Sequence, residues 1–241
     1  MLTKSSAIVL HQIKFGDSSL IVEVLTDVWG RLSFMVRLPK TSKAKVKKQF
    51  FQPLTVLDIE FDYRQKANLQ HIKDVRIALP YLSIPIDPVK SSVMLFLSEF
   101  LFHVTKGEQE NRSLFNYIVT SLQWLDGSVS NYANFHLVFM MRLSRFIGFY
   151  PNLNEYEPDC YFDLRNGCFV GVAPLHSDFL EPLDASRVNQ LMRMDYETMQ
   201  LFKLSHTDRN RFTELALRYY RLHVPNMPKL HSFTILKEVF A

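Results

Sequence analysis

The apolar positions of this chain change period once, near residue 80. Before that point they alternate. Residues 6–15 set Ala7, Val9, His11 and Ile13 against Ile8, Leu10, Gln12 and Lys14, the two-residue period of a strand with two different faces. Residues 20–26 are β-branched and apolar. Residues 31–38 alternate again, with Leu32, Phe34 and Val36 on one face and Arg31, Ser33, Met35 and Arg37 on the other. Residues 54–63 and 69–79 supply two more strands, and Gly16-Asp17 and residues 27–30 read as turns. Five short strands with turn punctuation predict a small barrel.

Pro80, Pro85 and Pro88 fall within nine residues and read as a connection between domains. Asp87 followed by Pro88 is a helix start, a capping side chain and then a ring that presets the first helical φ. Val89, Val93, Phe96, Leu97, Phe100, Leu101 and Val104 follow at helical spacing, closed by Gly107. Further helices are predicted over 112–125, with Leu114, Ile118, Leu122 and Leu125 on one stripe, and over 132–147, ended by Gly148 and Pro151. Residues 152–182 interrupt the pattern with Pro158, Asn166-Gly167, Gly171, Pro174 and Pro182. Asn166-Gly167 is a favoured two-residue hairpin turn, here between Tyr161-Phe162 and Phe169-Val170. Helices resume over 186–194, 208–222 and 232–240. The expected class is α+β in two domains: a five-stranded barrel over 1–80, and an all-α domain over 81–241 with a small β-hairpin insertion at about 152–182.

Charge changes this picture. The net charge is only +4, but residues 1–80 hold 13 basic and 7 acidic side chains, while residues 81–241 hold 15 and 17. Residues 28–57 contain seven basic residues and no acid: Arg31, Arg37, Lys40, Lys43, Lys45, Lys47 and Lys48. Such a cluster repels itself unless a polyanion meets it. Nucleic acid is the first candidate; anionic lipid and an acidic protein tail are the others. Trp29 and Met35 border this face. They either stack on bases or, for Trp29, pack into the turn.

The chain has no G-x-G-x-x-G, no Gly-Lys phosphate loop, no H-E-x-x-H and no G-x-S-x-G, so no conventional catalytic motif is present and an enzyme is not expected. Cys160 and Cys168 are too few for a disulfide framework and fit a reducing compartment. They read as small buried hydrophobes in the hairpin or, with His176 nearby, as part of a zinc site. The longest uncharged run is 15 residues, too short to span a bilayer, and the apolar run at residues 7–10 is too short for a signal peptide. A cytoplasmic protein is expected.

The segment SSAIVLHQIKFGDSSLIVEVLTDVWGRLSFMVRLPK resembles the opening of the RecO family of bacterial recombination mediators, through Ile8-Val9-Leu10, Gly16-Asp17-Ser18, Thr26 and Gly30-Arg31-Leu32-Ser33. RLSRFIGFYPNL resembles the family's helix end before its zinc module, and YYRLHVPNMPKLHSFTIL its C-terminal segment in one lineage. The resemblance implies an N-terminal OB-fold barrel, a helical second domain and no enzymatic turnover. It implies binding of single- and double-stranded DNA, strand annealing, contacts with single-strand-binding protein and RecR, and help in loading recombinase during gap repair. Many members carry a four-cysteine zinc module after the "PNL" segment; here Cys160 lacks its C-x-x-C partner and no second pair follows Asn166-Gly167. No cofactor is therefore expected, with apolar side chains standing where the metal would be.

On this reading the seven basic residues are the DNA-binding set. A partner-binding groove is expected on the helix over 208–222, where Phe212, Leu215, Ala216 and Tyr219 form a stripe among Arg209, Arg211, Arg218 and Arg221; the other reading of that stripe is core. The competing functions are an RNA-binding OB-fold protein of ribosome assembly or translation and a membrane-surface adaptor.

Overall fold

The computed structural model describes residues 2–38 and 46–239. Contacts divide the chain into two compact units, one of residues 1–126 with 230–239 and one of residues 127–229 with 240–241. The boundary thus falls at Asp126 and Gly127, and the proline-rich segment at 80–88 lies inside the first unit.

The first unit opens with five strands: β1 (Leu2–Phe15), β2 (Ser19–Thr26), β3 (Gly30–Arg37), β4 (Val56–Asp62) and β5 (Gln70–Leu79). They close into a barrel in the order β1-β2-β3-β5-β4, with β1 pairing β4. All neighbours are antiparallel except β3 and β5, which meet in parallel at Phe34↔Gln70 and Met35↔His71. The interior is filled by Ala7, Val9, Leu20, Val22, Val24, Phe34, Val36, Leu57, Ile59, Phe61 and Val75. Phe34 and Phe61 meet edge to face at 5.0 Å, the arrangement favoured by the ring quadrupoles.

The alternation of β1 reverses part-way along. Its register against β2 shifts between Val9 and His11. Val9 pairs with inward-facing Val24, but Gln12 and not His11 pairs with inward-facing Val22. His11 and Ile13 therefore do not share a face with Ala7 and Val9, as strict alternation predicts. A β-bulge inserts one residue and flips every side chain beyond it. The Leu10 carbonyl at the bulge accepts from the Ser98 hydroxyl at 2.6 Å.

Ser98 belongs to α1 (Pro88–Val104), which starts as its sequence predicts: the Asp87 carboxylate accepts from the backbone N–H groups of Val89 and Lys90. In α2 (Arg112–Gly127), the Asp126 carboxylate accepts from the N–H groups of Leu82, Ser83 and Ile84. These bonds tie the proline-rich segment to α2 within the first unit. The last helix of the chain, α6 (Ser232–Val239), returns to α1, where the Glu99 carboxylate accepts from the N–H groups of His231 and Ser232. An anion at a helix N-terminus satisfies donors the helix itself leaves open.

The second unit holds α3 (Phe135–Leu143), a small sheet of β6 (Tyr161–Asp163), β7 (Cys168–Val170) and β8 (Phe179–Leu180), then α4 (Pro182–Arg193) and α5 (His206–His223). The sheet order is β7-β6-β8. The hairpin falls where the sequence places it, but Asp163↔Cys168 is its last pair, so the connection is the four residues 164–167 and not a two-residue Asn-Gly turn; Gly167 closes it at φ +63°. His136 is buried in α3 with Nε2 3.0 Å from the Thr213 hydroxyl, and burial pushes its pKa down to about 3.

Gly30 is at φ +63°, and a Cβ there would overlap the backbone of Glu108 and Gln109. The Arg31 N–H donates to the Glu108 carbonyl at 3.1 Å, holding that loop against the strand. Gly30→Ala should therefore lower unfolding free energy by about 2–4 kcal/mol, from the left-handed backbone and a clash with main chain that cannot swing aside. A urea titration followed by circular dichroism measures it.

Candidate nucleic-acid interface

The outer face of β3 and the segment after it carry the basic residues of the acid-free run. They fall into three environments. Arg31 is enclosed: its side chain is 10% exposed and ion-paired to Glu23 at 2.5 Å, with its guanidinium 4.4 Å from the centre of the Phe102 ring. It also donates to the Phe102 carbonyl. Its charge is compensated and its plane is covered. Arg37, at the far end of β3, is exposed, as are Lys47 and Lys48. Lys40, Lys43 and Lys45 lie outside the described residues.

The strand pairing explains this split. Arg31 stands opposite Leu25 on β2, and Glu23 lies two residues further along on the same face, within a side chain's reach. Arg37 stands opposite Ser19, which has no charge to offer. Beyond the basic segment, a 3₁₀ turn over Lys48–Phe51 brings the chain back. Phe51 is fully buried in the barrel core, while Lys47 and Lys48 project outward just before it. The N–H of Leu38 donates to the Ser18 carbonyl at 2.7 Å, fixing the departing end. Both ends of the lysine-rich segment are thus pinned to the barrel.

Three other cations of the barrel are paired with carboxylates. Lys4 faces Glu60 at 3.8 Å, Lys73 faces Asp62 at 2.7 Å and Arg76 faces Asp58 at 2.9 Å. Exposed pairs of this type contribute little stability, but they cancel the field of that side. Arg37, Lys47 and Lys48 are exposed, and no carboxylate lies within ion-pair distance of them among the described residues. Trp29 does not stand open: its ring stacks on Tyr63 at 4.1 Å between centroids, which corresponds to the packed reading of that residue.

A closed barrel presenting a basic loop is a common nucleic-acid platform, and comparison with known proteins bears on that chemistry. Residues 1–81 match the family described as Recombination protein O N terminal, and residues 86–232 match Recombination protein O C terminal. The chain belongs to the Recombination protein O family. DNA repair protein RecO of Phocaeicola vulgatus is 48% identical over 241 residues, and that of Bacteroides fragilis 49% over 241, each covering 100% of both chains. DNA repair protein RecO of Flavobacterium psychrophilum is 34% identical over 243 residues, again with full coverage. The barrel is the OB-fold of the RecO N-terminal region, and membership links the chain to DNA repair and recombination.

In the second unit, the hairpin read against the RecO zinc module is apolar. Cys160 is buried with Phe162, Leu164, Phe169, Leu180, Ala185, Val188 and Tyr219. Burial is the main reason the Cys168 thiol is pushed above its ordinary range, with Asp163 and Glu155 adding to it. Among the described residues, no three His, Cys, Asp or Glu side chains gather closely enough to hold a metal ion. His176 turns to other partners: its Nε2 is 3.5 Å from the Asp163 carboxylate and its Nδ1 accepts from the Asp178 N–H.

The stripe on α5 requires a correction. Phe212 and Tyr219 are 2% and 3% exposed. Tyr219 belongs to the hairpin cluster, Leu215 packs against it, and the Tyr219 hydroxyl donates to the Phe149 carbonyl at 2.7 Å. Arg209 is committed too, donating to Asn134 Oδ1 and the Leu204 carbonyl. The stripe is the inner side of its own unit and offers no open groove. Helical periodicity marks a face that must be covered; it does not say by what.

Arg31→Ala should lower unfolding free energy by about 2 kcal/mol, because it strips a partly enclosed carboxylate and a carbonyl of their donor. Arg37→Ala should change stability by less than about 0.5 kcal/mol, as exposed substitutions do; thermal melts of both variants compare them. In the hairpin, burial alone would raise the Asp163 pKa, but donors from Asn166 and Arg165 and the nearby His176 outweigh it and hold the carboxyl below its ordinary value. A depressed carboxylate stabilises fully above its unfolded pKa, and that stability is lost as pH falls through the lower folded value. Asp163→Ala should therefore cost about 2 kcal/mol at pH 7, with the gap to wild type closing below about pH 4 in urea titrations.

Proposed function

We propose that this protein binds DNA through Arg37, Lys47, Lys48 and the lysines at 40, 43 and 45, anneals complementary strands on that surface, and helps load recombinase onto DNA coated by single-strand-binding protein. The observation that carries this reading is an acid-free basic segment pinned at both ends to a closed barrel, in a chain with full-length RecO relatives. Phosphates approaching that segment release condensed counterions, which drives binding without regard to sequence. Two strands brought to one cationic surface have their mutual repulsion screened, which is the physical requirement for annealing. The role is that of a mediator and not of an enzyme. Arg31 is left out of the contact set, since its charge is already paired with Glu23. Single-strand-binding protein and RecR are the protein partners in this reading, with a cytoplasmic site of action; their contact surface lies outside the buried stripe of α5.

The test is the salt dependence of binding in the full-length protein. Replacing Arg37, Lys43, Lys47 and Lys48 together by alanine should lower the log–log salt slope for a single-stranded oligonucleotide by up to about 3, at roughly 0.7 per lost phosphate contact. Binding should weaken equally across sequences, and annealing of complementary strands should slow in parallel. An unchanged slope overturns the surface assignment. Tighter binding of structured RNA than of single-stranded DNA would favour the ribosome-assembly reading instead.

A further inference from the structure

Strand β5 is paired unequally on its two sides. Towards β4 its ladder runs from Ile72 to Leu79. Towards β3 it has only the pairs at Gln70 and His71. Among the described residues, no strand covers that second edge over 72–79. Arg76, Ile77 and Ala78 are consecutive exposed residues there, and Ile77 is 40% exposed. Alternate residues of a strand turn their N–H and C=O groups to opposite sides, so part of this backbone points away from β4. A row of unpaired main-chain groups is a template for another strand, because an extended backbone matches it along its length.

The side chains along this edge select which strand it takes. Charges on an edge normally block pairing, and β5 carries Lys73, Asp74 and Arg76. These are of both signs, and their order is self-complementary. Asp74 stands opposite Glu60 on β4, a like-charge pair and therefore unfavourable. Glu60 has Lys4 on its other side at 3.8 Å, but among the described residues no cation lies within ion-pair distance of Asp74. Arg76 stands opposite Asp58 and meets it at 2.9 Å. All four line one shallow pocket on the outside of the barrel. An antiparallel copy of β5 centred on Val75 sets Asp74 of each chain opposite Arg76 of the other. Each outer row then reads Glu60, Asp74, Arg76, Asp58 across the two chains, and the unpaired carboxylate gains a guanidinium neighbour. Val75 is buried on the inner side, so this register keeps both barrel interiors on one side of the joint sheet. Centring the pair on Asp74 or on Arg76 sets like charges face to face.

We infer that the open edge of β5 takes a second copy of this chain, the two β5 strands pairing antiparallel about Val75 in a two-fold dimer. The unpaired backbone identifies the occupant as a strand, and the charge order identifies that strand as β5 itself. The same patch serves both partners, so the contact closes on itself and does not propagate into a fibre. The edge is short, and the association it supports depends on protein concentration. A dimer carries two basic segments, one for each complementary strand in annealing. That consequence rests on the proposed function; the dimer itself does not.

Sedimentation velocity of the full-length protein without DNA, from low to high micromolar concentration, tests this. Wild type should pass from monomer to dimer. Asp74→Arg sets two arginines opposite each other at both symmetric positions and should weaken the dimer roughly 5-fold or more. Arg76→Asp should do the same with two carboxylates. The double variant D74R/R76D exchanges the charges across the axis and should bring association back to within about two-fold of wild type. Amide hydrogen exchange is the independent readout: N–H groups over 72–79 should exchange more slowly at high protein concentration than at low, and those of β2 should not change. A wild type that stays monomeric, or a dimer that D74R leaves intact, overturns the interface. Weakening by both single variants without recovery in the double variant overturns the register and with it the proposal. DNA takes no part in these measurements, so their failure leaves the proposed function standing. Circular dichroism of the variants confirms folding, which exposed positions should not disturb.

Discussion

The barrel is closed by a short parallel contact, and the proposed DNA-binding surface starts from the strand that makes it. β3 and β5 share only the register pairs Phe34↔Gln70 and Met35↔His71. One pair is inside the barrel and the other outside. Inside, Gln70 makes up for the brevity of the ladder by bonding with its side chain to Arg64 and Ala67, so the β4–β5 turn is tied to the first residue of β5. Outside, the same closure sets Met35 beside His71 and leads β3 to its end at Arg37. Were the register to slip by one residue, Phe34 would turn to solvent and Met35 to the core. Burial of Phe34 against Phe61 opposes that slip.

From that strand end the chain runs into its most self-repulsive stretch, with Lys40 to Lys48 carrying five charges in nine residues. Like charges at this spacing lie within a Debye length at physiological salt, so screening only partly relieves them. The fold tolerates the repulsion by holding the two ends, with Leu38 bonded to the β1–β2 turn and Phe51 buried in the core. The described residues at its two ends are held to the barrel, and in the proposed function a polyanion relieves the repulsion between the lysines.

The second unit solves a different problem. A small hairpin has too little core to stand alone. In this chain its sheet is covered by α4 and α5, with Phe162, Phe169 and Tyr219 in one cluster, and its turn is held by Asp163, which accepts from Arg165 and from both the backbone and side chain of Asn166. Aromatic burial and one carboxylate hold this hairpin together. The stripe on α5 is consumed in that packing.

The sequence by itself determined the elements and their kinds. Alternation, β-branched runs and turn residues marked five strands, and caps and breakers marked the helices: Asp87-Pro88 starts α1, and Gly167 closes the four-residue connection of the hairpin. These are local signals, each set by a few neighbouring residues and their backbone preferences. The concentration of basic charge was equally legible, because composition survives folding. Three things were decided only in the tertiary structure. Arg31 and Arg37 look alike along the strand, but Glu23 and Phe102 enclose one and leave the other open. The amphipathic stripe of α5 names a face to be covered, and only the packing of the hairpin sheet showed what covers it. The bulge at Leu10 turned Ile13 and Phe15 outward, a one-residue shift that alternation cannot reveal because it depends on how β1 pairs with strands on both sides. Local periodicity is encoded in neighbours along the chain; which charges remain unpaired and which faces remain bare depends on partners brought together from far apart in it.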